Sequence, residues 1–200
     1  MTPTPDDPTG ERADAARNRA RLLAAAACLV AERGAEHVTM HEVAQAAGVG
    51  KGTLFRRFGD RTGLLLALLG DVEAEFHEAY SCGPPPLGPG APAAHRLTAF
   101  GCALIERLAD DTDLGPALAR QIPVERRKTS HYGQAFHRHV ASLLREAGVV
   151  GDHDMLAHAM LAFTDLETMD HLRKERQAGT ARLRHTWTDL VRRVTGADER

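Results

Sequence analysis

Aromatic residues make up only 4% of the 200 positions. The core is therefore expected to be mostly leucine, valine and alanine. Cysteine is scarce: Cys28, Cys82 and Cys102 are an odd number with no CxxC pair. That argues against a disulfide scaffold or a zinc ribbon and for reduced thiols in a cytoplasmic protein. Neither sign of charge dominates. The 25 basic and 27 acidic residues leave a net charge of −2, which excludes a wholly basic coat but not a local basic patch. Long apolar runs are missing. The longest, Leu22 to Ala31, is ten residues, against the roughly 18 needed to cross a bilayer, and no basic-then-apolar leader opens the chain. No membrane partner is expected. The GxSxG elbow, Walker loop, Rossmann fingerprint and HExxH pattern are all absent, so neither an enzyme nor a cofactor is expected.

The hydrophobic fraction is 43%, enough for a substantial core. No segment alternates with period two over a useful length, and the chain reads as all-α. Residues 1–10, with three prolines, read as a disordered arm. Helices are expected from Ala13 to Arg33, from the capping box at Thr39–Glu42 to Gly48, from Lys51 to Phe58, and from an N-cap at Asp60 to Tyr80. The run Ser81 to Gly90, rich in proline and glycine, is a loop. Beyond it helical patterns cover 93–109, 114–121, 130–147, 154–177 and 180–194.

The informative stretch is Val43 to Phe58. Two helices of about two turns joined by a few residues must cross steeply, with Ala44 and Ala47 at the close approach and Gly48 in the turn. Leu54 and Phe58 share one helical face. At about 100° per residue Arg56 then points outward, with Gly52 and Thr53 beside it and Phe55 and Arg57 on the flanks. Lys51, Arg56, Arg57 and Arg61 against Asp60 make residues 50–63 locally basic, whereas 71–80 holds four acids and no Lys or Arg. A small cationic helix of this kind fits the major groove of duplex DNA. Gly50 and Gly52 let the backbone approach phosphates at the helix N-terminus. The plainer alternatives are a helical corner with a solvated charged face, or a helical adaptor presenting the same face to a protein.

These residues resemble the TetR/AcrR family of bacterial transcriptional regulators from about Arg19 to Leu69. The likeness rests on Glu32-Arg33-Gly34, Val38-Thr39, Ala47-Gly48-Val49, Gly52-Thr53-Leu54-Phe55, Phe58 and Arg61. It implies an N-terminal helix-turn-helix domain, 11–62, and a C-terminal effector-binding and dimerisation domain, 63–200, with helix four connecting them. By position it places Thr39 and His41 at the DNA backbone, Lys51, Thr53, Phe55 and Arg57 among recognition contacts, and Arg61 at a phosphate. Gly50 stands where that family often has Ser, and Gly63 where Glu is frequent. The implied function is a ligand-responsive regulator, foremost a repressor released from a palindromic double-stranded operator by a small-molecule effector. Such a protein would be cytoplasmic and nucleoid-associated.

In the second half two apolar stripes stand out. Met155, Ala159, Ala162, Phe163, Leu166 and Met169 form one; Leu183, Trp187, Leu190, Val191 and Val194 form the other. One helix-turn-helix reads one half-site, so a homodimer joined through Ala159, Phe163, Leu166, Leu183, Trp187, Leu190 and Val191 is expected. Phe100, Leu104, Leu118, Tyr132, Phe136 and Val140 are candidates to line an effector pocket. Eleven histidines are present. His137 and His139 lie two apart and His153 and His158 five apart, both poor spacings for shared ligation, so no metal site is expected.

Overall fold

The computed structural model describes residues 8–110 and 113–196, with side chains from residue 15 onward. Every regular element among them is helical. The chain divides into two compact units, Met1–Leu68 and Leu69–Arg200.

The first unit holds α1 (Pro8–Arg33), a 3₁₀ turn at Ala35–His37, α2 (Met40–Ala46), α3 (Lys51–Phe58) and the start of α4 (Arg61–Cys82). Residues 1–7 of the expected arm lie outside the described residues. Pro8–Gly10 is helical instead, so α1 begins before Ala13. A proline is compatible with this because its missing N–H falls where a helix has no partner to offer. Leu22, Ala26, Val30, Val38, Val43, Leu54 and Leu65 are buried together as an aliphatic core. Asp60 starts α4 as expected, its Oδ1 accepting from the Gly63 backbone N–H at 2.6 Å. A Cβ at Gly63 would stand 1.9 Å from the Phe58 carbonyl oxygen, so the α3–α4 corner has no room for a side chain there.

The second unit contains the rest of α4, then α5 (Ala93–Ala109), α6 (Leu114–Ala119), α7 (Val124–Lys128), α8 (His131–Glu146), α9 (His153–Phe163), α10 (Leu166–Lys174) and α11 (Thr180–Thr195). The expected helix over 154–177 is in fact two. Thr164 leaves helical geometry and Asp165 adopts ψ 140°, the extended conformation of an N-cap, which turns Leu166 inward. The short α7 was not expected; it begins directly after Pro123, which serves as its N-cap.

Trp187 locks α11 to α5. It is fully buried, and its indole Nε1–H donates to the Leu97 carbonyl at 3.1 Å. The helices meet so closely that a Cβ at Gly101 would fall 1.8 Å from the indole. This overturns part of the expected dimer face. Leu166, Leu183, Trp187 and Val191 are all buried in the core of the single chain. An amphipathic helix must satisfy its own core first, and sequence spacing cannot tell that stripe from an intersubunit one. Among the residues expected at the interface, Ala159 is exposed and Phe163 and Leu190 are half-buried.

Candidate functional site

Two sites emerge, one in each unit. In the first, the capping box forms as its sequence demands. Thr39 Oγ1 accepts from the Glu42 backbone N–H at 3.3 Å, and the Glu42 carboxylate accepts from the Thr39 N–H at 3.1 Å and the hydroxyl at 2.7 Å. These bonds hold the Glu42 carboxyl below its usual range. Arg33 pairs with the same carboxylate at 3.0 Å. The turn after α2 closes at Gly48, φ 64°, with the Val49 N–H on the Ala44 carbonyl at 3.0 Å. This left-handed conformation is the one glycine reaches without a Cβ penalty. Arg21 of α1 donates to the Ala47 carbonyl at 2.9 Å and ties the turn to the first helix.

That arrangement fixes how α3 is presented. Leu54 is fully buried and Phe58 half-buried; full burial of a leucine is worth about 1.5–3 kcal/mol. Lys51, Gly52, Arg56 and Arg57 are exposed, Thr53 is half-buried, and Phe55 is 47% exposed. Neither Lys51, Arg56 nor Arg57 is held by an acidic side chain among the described residues. A Cβ at Gly50 or Gly52 would meet nothing within 4 Å, so the N-terminus of α3 lies open. Thr39 and His41 are exposed at the start of α2. Arg61 is different. Its Nε donates to the Val38 carbonyl at 2.9 Å and its NH2 to the Ala35 carbonyl at 2.5 Å, so it caps the 3₁₀ turn. Sequence reasoning missed this internal role because the carbonyls it binds lie more than twenty residues earlier in the chain.

The second site is a cavity of about 560 Å³ wholly within the second unit. Of the six candidate pocket residues, Leu104, Tyr132 and Phe136 line this cavity. Phe100, Leu118 and Val140 do not: each is fully buried, and Phe100 and Val140 belong to the main core. Leu108, Pro116, Leu161 and Ala162 complete much of the apolar wall. A charged group crosses that wall. Arg107 binds Glu73 twice, at 2.7 and 3.2 Å, and Asp113 at 3.0 Å, with its guanidinium 5.0 Å from the Phe76 ring centre. Burial pushes the Glu73 carboxyl up against the opposing pull of Arg107. Lys128 pairs with Asp165 at 2.9 Å, and Arg127 pairs with Glu167. His137, Asp154 and His158 also lie on the wall, brought together from α8 and α9. The expectation of no metal site weighed histidine pairs within one helix and so passed over this cross-helix group; the spacing Asp154-x3-His158 was the available signal.

Residues 22–68 match the family model of the bacterial regulatory proteins, tetR family. HTH-type transcriptional regulators of several Staphylococcus aureus strains are 42% identical over 53 residues. That match takes in 26% of this chain and 29% of theirs, less than a third of the relatives' length. Across the whole fold the chain is similar to a Rhodococcus sp. protein described as a TetR-family transcriptional regulator. The two are 24% identical, with 90% and 99% of the chains covered and a TM-score of 0.61. It is also similar in fold to the Bacillus subtilis transcriptional regulator FadR in complex with stearoyl-CoA, at 19% identity, 86% and 96% coverage and a TM-score of 0.60. A third fold relative is NalD, the secondary repressor of the MexAB-OprM multidrug efflux pump in Pseudomonas aeruginosa. It is 18% identical, with 90% and 96% covered and a TM-score of 0.52.

Proposed function

We propose that the chain is a ligand-responsive transcriptional repressor, a reading that starts from the match of residues 22–68 to the family model of the tetR bacterial regulatory proteins. The observation that carries the reading is the outer face of α3. It sets exposed cations at Lys51, Arg56 and Arg57 beside an open helix N-terminus, with Leu54 anchoring the helix from behind. Cations and backbone N–H groups there suit phosphates, and Thr53 and Phe55 suit base edges.

A homodimer would set two such helices one helical turn of DNA apart, about 34–36 Å, on a palindromic operator. With four of the expected interface residues spent on the core, the proposed interface shifts to the outer stripe of α9. Met155, Ala159 and Ala162 are exposed there, and Phe163 is half-exposed. The effector would occupy the cavity of the second unit. Its apolar walls and the Arg107–Glu73 pair favour a largely hydrophobic molecule carrying a polar group. The stearoyl-CoA held by the Bacillus subtilis fold relative supports that class. Effector binding would favour a helix spacing that fits the operator poorly, so operator affinity falls.

A gel shift with the DNA upstream of the protein's own gene tests the reading. A retarded band is expected for the wild type and a weakened one for the variant carrying R56A and R57A. No band at micromolar protein overturns it. Light scattering at the same concentration should give a dimer, and Ala159→Arg should give a monomer.

A further inference from the structure

We propose that His137, Asp154 and His158 form a binding site for a divalent transition-metal ion in the cavity wall, with an open coordination position toward the cavity. Asp154 and His158 are one turn apart on α9, and His137 reaches them from α8. A donor atom of each lies within 4.8 Å of the other two. His137 Nε2 is 3.5 Å from Asp154 Oδ1, close to the edge of about 3.4 Å in a tetrahedron with bonds near 2.0–2.1 Å. The two imidazole rings lie 4.1 Å apart, tilted by 35°. Rings sharing one ion stand about 5 Å apart, an opening of roughly an ångström that the exposed His158 can supply by rotating.

The chemistry of the donors selects the ion. Two imidazoles and one carboxylate suit Zn²⁺, Co²⁺, Ni²⁺ or Cu²⁺ over Mg²⁺ or Ca²⁺. His137 Nε2 also lies 3.2 Å from the Asp154 backbone carbonyl. A neutral imidazole takes the ion on Nε2 with its one ring proton held on Nδ1. Three cations of the wall have acidic partners: Arg107 with Glu73 and Asp113, Arg127 with Glu167, and Lys128 with Asp165, while Arg138 donates to the Gln134 side chain. Asp154 Oδ1, by contrast, faces the His137 ring, 3.5 Å from its Nε2. Three protein ligands leave a fourth position for water or an oxygen donor from a small molecule in the cavity. The site does not depend on the DNA-binding reading, because ion binding is measured directly.

The test is titration of the chelator-treated full chain with CoCl₂, followed by visible absorption and calorimetry. One Co²⁺ per chain is expected. His158→Ala and Asp154→Ala should each weaken binding by more than about a hundredfold, beyond the roughly ten- to hundredfold loss typical of an outer-shell partner. His185→Ala, at an exposed histidine of α11, should leave it unchanged. His158→Gln serves as a milder second variant should the alanine chain lose its circular dichroism. Adding acetohydroxamate should shift the Co²⁺ bands by filling the open position. No binding by the wild type, or equal binding by the folded His158 variants, overturns the site. Bands indifferent to acetohydroxamate overturn the open position.

Discussion

The two units build from opposite materials. Seven of the nine aromatic residues lie beyond Leu69, and Phe76, Tyr80, Phe100 and Phe136 pack edge and face with ring centres 5.2–6.0 Å apart. The first unit keeps Phe55 and Phe58, one exposed and one half-buried, over a core of small aliphatics. The glycines show the same contrast. At Gly50 and Gly52 an added Cβ meets nothing within 4 Å, while at Gly101 it meets the Trp187 indole at 1.8 Å. The first unit spends its sequence on an outward surface, and the second on an interior. Substitutions should therefore register as weaker binding in one and lower stability in the other.

The sharpest way to break that contrast is Trp187→Ala. It removes the largest fully buried side chain and the Nε1–H bond to Leu97, and should destabilise the chain by about 3–5 kcal/mol. Chemical denaturation reads this directly. Were Trp187 an interface residue instead, the effect would appear as dissociation with the monomer's stability intact. Gly101→Ala should be destabilising for the complementary reason, overpacking against the indole.

Next comes the pair Arg56→Ala and Arg57→Ala. Both side chains are exposed, so thermal stability should move little. Operator affinity should fall about tenfold or more. The slope of log affinity against log salt should flatten by about one for each phosphate that is no longer neutralised. Fluorescence anisotropy over a salt series measures both, and an unchanged slope and affinity would remove α3 as the DNA-facing element.

Why one half could be read ahead of the structure and the other only partly follows from the range of the interactions. The capping box at Thr39, the turn at Gly48 and the bounds of α3 all depend on residues within a few positions of each other. Leu54 inward and Arg56 outward then follow from helical periodicity alone. The second unit's assignments needed to know which stripe meets which. Leu183, Trp187 and Val191 have the spacing of an interface and sit in the core. Phe100 and Val140 have the character of pocket walls and are packed solid, whereas His137, Asp154 and His158 converge only because α8 lies against α9. Arg61 teaches the same inside the first unit, since its acceptors are remote in sequence.

The interior of the second unit also carries a pH dependence of its own, set by a buried histidine. His139 packs on Tyr80 and Phe100, with ring centres at 4.4 and 5.0 Å. Burial, with the Arg96 and His77 charges adding to it, pushes its pKa down to about 4. An unfolded histidine takes up its proton near 6.5, so protonation favours the unfolded chain between those values. The stability is present above about pH 6.5 and is lost as pH falls toward 4. Allowing for the ring's partial exposure, the loss is about 2 kcal/mol. His139→Phe should remove that share of the slope, measured as the difference between wild type and variant denaturation midpoints across pH 4–7.

The smallest expected effect tests the open side of the contrast. Gly50 is the N-cap of α3, with φ −68° and ψ 143°, and no side chain caps the helix. Those angles are ordinary for any residue, and a Cβ there is unobstructed. Gly50→Ser therefore adds a hydroxyl that can accept from an N–H of the first turn without displacing anything. The gain should be only a few tenths of a kcal/mol, a rise of about 1 °C in Tm for a chain of this length. Operator affinity should stay within about twofold, because one helix N–H passes to the serine while the exposed cations remain. Calorimetry beside an anisotropy titration checks both. A fall in stability would mean that the space around α3 is less free than the open faces of Gly50 and Gly52 indicate.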